Sequence, residues 1–339
     1  MAEAPLDERW RRLVEQEWTT ADAFSTRAAE LRAVRAVAAG GLGAGRVFDG
    51  HRNALERLMQ HRPSDIPEDV RNRVSAGVLR LGVWGADPGP QDGTPACLNP
   101  DQQTVSGVKA FCSGAGHLDL AIVLVRRTPE GPPTLPALID LREPERARVD
   151  LEWFRGSVLA QSHSHRVVFD RAPVVAILGE EGTLSQEPWI SGDALRSAAV
   201  WAGAADTIAA TVTAGAGRSD EAAAAAGCAR AILGPVNTWL DAGLAAVNEA
   251  HEAGSDPWPV VAALRLELTE RLRTLSRIAA EQHGSRGLAT DETLAEARAD
   301  LDLLLLQHRS RPSPSSSAPS RRSARDRPRT ARKLRSALP

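Results

Sequence analysis

Residues 79–127, LRLGVWGADPGPQDGTPACLNPDQQTVSGVKAFCSGAGHLDLAIVLVRR, decide the fold. Leu79–Trp84 is a short apolar run halted by Gly85 and by Pro88-Gly89. Thr104–Phe111 alternates weakly, and its Gly107 suits a bulge or the close approach of another backbone. Leu118–Val125 is nearly continuous in Leu, Ile and Val, as a strand covered on both faces is. Between the last two runs lies Cys112-Ser113-Gly114-Ala115-Gly116, small and polar, where a flat ligand can meet backbone. Three strands with Gly- and Pro-rich turns predict a β unit.

Towards the C-terminus, Pro129–Pro136 is rich in turn residues, Ala137–Leu141 is a further short strand, and Val149–Trp153 and Ser162–Val174 extend the β region. This gives a middle β domain over residues 76–180. Towards the N-terminus, Leu13, Trp18, Phe24, Leu31, Val34 and Val37 recur at helical spacing across residues 5–40. Gly40-Gly41-Leu42-Gly43 breaks the pattern, and a second helix is expected over about residues 47–61. Residues 1–75 are thus a helical segment. Residues 190–308 are Ala-rich, and Ala is the best helix former. Helices are expected over about 194–214, with Ser191-Gly192-Asp193 as an N-cap and Gly203 allowing close packing, and over 220–250, kinked or broken at Gly234-Pro235. Two more follow over 257–283, stopped by Gly284 and Gly287, and over 291–308. Four helices with short breaks predict an antiparallel bundle.

Residues 309–339 are Arg, Ser and Pro with little to bury, a disordered basic tail by composition. Their ten Lys/Arg against the single acid Asp326 give +9, so the rest of the chain carries −11 of the net −2. The tail is either simply solvated or makes weak, salt-dependent contacts with nucleic acid, and no aromatic interleaving predicts specific binding. At 339 residues, with 42% hydrophobic and 25% charged residues, the chain has the composition of a soluble globular protein of about two domains. No run approaches a membrane span, and the charged start lacks a signal-peptide core. Three scattered cysteines suggest neither disulfides nor a zinc site, so a cytoplasmic protein without a metal is expected.

The central stretch also resembles the middle domain of the acyl-CoA dehydrogenase superfamily, flavoproteins that hold FAD between a β domain and helical bundles. The family's T-E-P after the first strand is matched by Ala86-Asp87-Pro88. Its G-x-K-x-[FW]-[IV]-[TS]-x-[GA] is matched by Gly107 to Ala115, and its Asp-containing strand by Leu118-Asp119-Leu120. Gly50-His51-Arg52-Asn53-Ala54-Leu55 and Ser162–Val174 are similar to two further segments. The resemblance implies an α+β fold of truncated N-terminal helices, a middle antiparallel β domain and a C-terminal four-helix bundle. It implies FAD, stacked on Phe111 and bonded by the Ser113 hydroxyl, with Trp84, Gly85 and Ala86 facing the pyrimidine edge. From the residues alone, Phe111 reads as core and Ser113 as a turn residue. The family's carboxylate base is missing. Counting from Ala299-Asp300, its position falls on His308, either a general base or a helix-end cap. The family's glycine-rich segment survives only as Gln282–Gly287, and its Arg-x-x-x-Phe segment is not recognisable near Arg218. Four residues read as structural: His51 as a helix-surface histidine, Lys109 as a strand-end surface charge, and Glu180 and Glu181 as solvated.

The resemblance implies an FAD-dependent oxidoreductase acting on the CH–CH group of an acyl-CoA-type substrate, assembled as a homo-oligomer through the bundle. Two alternatives remain: a non-catalytic homologue serving as a structural or partner subunit, and a flavin monooxygenase of the same fold with His308 as base.

Overall fold

A computed structural model describes residues 5–60, 66–101 and 103–306. Among these the order is helices, then sheet, then helices. Before the sheet come α1 (Leu6–Glu15), α2 (Arg27–Gly40), α3 (Leu42–Gln60) and α4 (Glu68–Ser75). Residues 16–26 turn where the sequence pattern runs on as helix, and α2 begins where the Thr26 hydroxyl accepts from Ala29 N at 3.1 Å. Helix α4 goes unread in the sequence because it is short and polar; Val74 is its one buried residue.

The strands are β1 (Leu81–Trp84), β2 (Cys97–Leu98), β3 (Thr104–Cys112), β4 (Leu120–Val125), β5 (Leu135–Asp140), β6 (Ala147–Asp150) and β7 (His165–Ile177). They lie in the order β1-β4-β5-β7-β3-β2, with β6 also on β7. Every pairing is antiparallel except β1 with β4. The β4 run is apolar throughout because both its faces are covered. Ala121, Val123 and Val125 join a core shared with α1–α3 and the later helices, while Leu120 and Ile122 join Leu55 and Leu58 of α3 and Val74 of α4. Gly107 is the expected bulge: φ is +115°, the β3–β7 register shifts there, and a Cβ would lie 2.6 Å from Pro95 O.

The helices after the sheet are α5 (Trp189–Ala214), α6 (Asp220–Leu233), α7 (Val236–Ala253), α8 (Trp258–Thr290) and α9 (Glu292–Leu305). The expected second helix is broken at Gly234-Pro235 into α6 and α7, because proline has no N–H to donate to the preceding turn. Gly284 breaks α8 rather than ending it. Ser191-Gly192-Asp193 is not a cap: α5 starts earlier, and Asp193 pairs with Arg57 and with Arg196. Gly203 does serve close packing, since a Cβ there would lie 2.3 Å from Arg35 O of α2. Where α2, α3 and α5 meet, the fully buried Arg196 bonds Glu30 and Glu56, each at 2.8 Å. Burial without its carboxylates would be costly, and their field keeps its pKa up. Among the described residues no helix is long and apolar enough to cross a membrane.

Candidate functional site

Strand β3 delivers the site. Its last residues leave regular pairing between Lys109 and Cys112. Phe111 in that irregularity has φ +51°, rare for a bulky residue, and is 56% exposed while Ala110 and Cys112 are buried. An exposed aromatic in a strained backbone is a surface presented outward, not a core residue. Trp153 meets it edge-on at 4.9 Å and Phe154 at 6.4 Å. Asp92 accepts from Trp153 Nε1 at 3.0 Å and fixes that ring.

The segment after β1 is fastened beside β3. Ala110 N donates to Ala86 O at 3.1 Å. Lys109 Nζ donates to Gly85 O at 3.1 Å and to Asp87 Oδ1 at 2.7 Å, and Arg126 takes Asp87 Oδ2 at 2.7 Å. Lys109 is therefore no surface charge. It is wholly buried, burial lowers its pKa, and Asp87 opposes that shift. Trp84 is core by its ring, which packs near Phe169, and its indole N–H donates to Ser113 O at 3.0 Å. Only the backbone that follows Trp84 lies beside the site.

Ser113 is half-buried, and its hydroxyl meets Ser164 Oγ at 2.9 Å. Ser164 Oγ lies 2.7 Å from Ser162 Oγ, and Ser162 Oγ donates to Leu159 O at 2.7 Å. Leu159 N in turn donates to Asp300 Oδ1 of α9 at 2.6 Å. Burial pushes the Asp300 carboxyl up to about 6. The path from Ser113 thus runs out of the sheet and into the last described helix. The sequence reading missed Trp153, Phe154, Ser164 and this tie to Asp300. Ser162 and Ser164, two apart before β7, were the available signal.

The structure brings Trp84, Gly85, Ala86, Phe111 and Ser113 together. His308 lies outside the described residues. His51 is not on the surface: it is fully buried, with Nδ1 accepting from Leu81 N at 3.2 Å and Nε2 therefore donating to Thr19 O at 2.9 Å. Burial holds its pKa down to about 4, so it is a neutral core histidine. Glu181 pairs with Arg127 at 2.6 Å on the surface, as a solvated residue does. No group of three or more metal-ligating side chains is found among the described residues.

A flavin needs an aromatic face, polar groups at its ring edge and donors or cations for its phosphates. Phe111 and the Ser113 and Ala86 segments meet the first two needs. For the third, a cavity of about 710 Å³ between α6 and α8 gathers Arg218, Gln282, His283 and Arg286. Gln282 Oε1 and His283 Nε2 are buried there without hydrogen-bond partners. Glu221 and Glu281 line the same cavity, so its charge is mixed, and the fit to a flavin rests on the Phe111, Ser113 and Ala86 segments.

No protein-family model and no curated protein sequence matches the chain. Solved structures do. TdsC from Paenibacillus sp. A11-2, solved with FMN and indole, is 18% identical with a TM-score of 0.69, over 90% of this chain and 87% of that one. Butyryl-CoA dehydrogenase from Megasphaera elsdenii is 14% identical with a TM-score of 0.68, over 89% and 85%. PigA with FAD and proline is 16% identical with a TM-score of 0.63, over 82% and 77%. The chain therefore has the acyl-CoA dehydrogenase fold, helices before and after a central sheet, as its motifs around Phe111 imply.

Proposed function

We propose that the chain is a flavin-dependent oxidoreductase that takes FAD and acts on the CH–CH group of an acyl-CoA-type substrate as a homo-oligomer. The observation that carries this reading is Phe111: an exposed ring in a strained backbone, at the position where the fold's motif places its ring-stacking aromatic. Phe111 offers the flat face, held upright by Trp153 and Phe154. Lys109 and Arg126, through Asp87, hold the Gly85–Ala86 backbone at the ring edge. Arg218 and Arg286, in the cavity between α6 and α8, are cations that suit a phosphate. When bound, the flavin supplies hydride and electron transfer. The proton at the substrate needs a base on the chain, and His308 is the residue proposed for it.

One observation favours a second reading, a flavin monooxygenase of the same fold. After Asp302 the chain runs Leu303–Leu306, Gln307 and His308, without the carboxylate that a dehydrogenase uses there. Anaerobic mixing of the FAD-loaded protein with a panel of acyl-CoAs separates the two. Bleaching of the visible bands supports dehydrogenation. No bleaching, with oxygen-dependent product from pre-reduced flavin, supports the monooxygenase. Neither result would leave a partner-subunit role.

A further inference from the structure

We infer that Asp92 is a positioning residue of the flavin face: its one carboxylate ties the loop that borders the ring edge to the aromatic residue that orients Phe111, so that the two walls of the site are held as a unit. This inference rests on the flavin reading above.

Phe111 has little of its own to hold its ring. Its backbone is left-handed and its ring is exposed, while Ala110 and Cys112 on either side are buried. The nearest ring is Trp153, edge-on at 4.9 Å, a contact that sets an angle as well as a distance. Trp153 is itself only half-buried. Its angle is set by the bond from its Nε1 to Asp92 Oδ1 at 3.0 Å, and a hydrogen bond to a carboxylate is a strong one.

The other carboxylate oxygen faces the loop. Gly89, three residues after Ala86, donates its N–H to Asp92 Oδ2 at 3.2 Å, and Asp92 N donates to Gly89 O at 2.9 Å. The approach is close enough that a Cβ on Gly89 would lie 2.9 Å from Asp92 Oδ2. Lys109 fixes the near end of this loop at Gly85 and Asp87, and Val108 N fixes its far end by donating to Thr94 O at 2.8 Å. Asp92 fixes the middle.

The clamp is anchored in the sheet. Arg166 of β7 donates from Nη1 to Asp92 O at 2.7 Å, and from Nε to Asp150 Oδ2 of β6 at 3.1 Å. Asp150 Oδ1 accepts from Glu152 N at 3.1 Å, on the turn that leads into Trp153. Both partners of the indole bond therefore hang from the same ion pair. The spacing between ring and loop is set before a ligand arrives, and such preorganisation removes ordering cost from binding. Asp92 acts through Trp153 and Gly89.

The test is titration of the full-length protein with FAD, comparing wild type, Asp92→Ala, Trp153→Phe and the double variant, with the visible circular dichroism of the bound flavin as a second readout. Trp153→Phe keeps a ring beside Phe111 but has no N–H, and it decides the matter alone should Asp92→Ala fail to fold. Each single variant should raise the Kd for FAD about fivefold and change the dichroism in the same direction. The double variant should bind as Asp92→Ala does, because both substitutions remove the same bond. Trp153→Phe that binds FAD as wild type does with unchanged dichroism, or losses that multiply in the double variant, would overturn this inference and leave the flavin reading standing. Wild-type protein that binds no FAD would overturn the flavin reading and this inference with it.

Discussion

Two groups of this fold, His51 and Asp300, respond to acid in opposite directions. Burial holds the His51 pKa at about 4, whereas in the unfolded chain it titrates near 6.5. The unfolded state takes up a proton the native state refuses, so stability falls as pH drops from about 6.5 towards 4. At about 1.4 kcal/mol per unit, the full loss is roughly 3 kcal/mol. Asp300 does the reverse. Burial lifts its carboxyl to about 6, from an unfolded value of about 3.9, so the native state protonates first and stability rises as pH falls through the same window. Because Asp300 is partly solvated, its share is discounted to roughly 1–2 kcal/mol. In wild type the two slopes largely mask each other. Asp300→Asn keeps an acceptor for Leu159 N and removes the opposing slope. It should be more stable than wild type by about 1–2 kcal/mol at pH 7, and should lose about 3 kcal/mol between pH 6.5 and 4. His51→Gln should instead show little acid loss above pH 4. Urea unfolding at half-unit pH steps reads all three. An Asp300→Asn curve parallel to wild type would refute the role given to Asp300. Undiminished acid loss in His51→Gln would refute the neutral buried histidine.

Three further outcomes follow from packing. Asp87→Asn leaves the buried ammonium of Lys109 without its charge partner and should cost about 3–5 kcal/mol in chemical denaturation, several times the cost of an exposed pair. Arg196→Met strands Glu30 and Glu56 at the α2–α3–α5 junction, with an expected loss of about 3–5 kcal/mol; a neutral result would mean that Arg27 and Arg52 satisfy both acids unaided. Phe111→Ala, at an exposed ring, should change stability by no more than about 1 kcal/mol and weaken flavin binding about tenfold, read by thermal melting and by fluorescence titration.

What could be read in the sequence was local. The Leu118–Val125 run identified a doubly covered strand because Ile, Val and Leu without alternation are what two apolar faces require. Gly107 marked its bulge, and Gly234-Pro235 marked the break between α6 and α7. What could not be read depends on partners far along the chain. Lys109 sits at a register shift, where alternation no longer tells inside from outside, and Asp87 and Gly85 lie more than twenty residues before it. His51 stands three residues after Phe48 and four before Leu55, both buried, so its inward position was available in the spacing. Its hydrogen bonds to Thr19 and Leu81, on two other segments, were not. For the site, motif order drew Trp84 through Ser113 together, while the turn of the Ser113 hydroxyl towards Ser164, 51 residues on, is a matter of tertiary structure.

The central claim is that Phe111 and the segments beside it form a flavin-binding face. Incubation of the purified protein with FAD, desalting and a visible absorbance scan test it directly. The account predicts a retained two-band flavin spectrum that Phe111→Ala loses. Colourless wild-type protein, with a melting temperature that FAD does not raise, would contradict it.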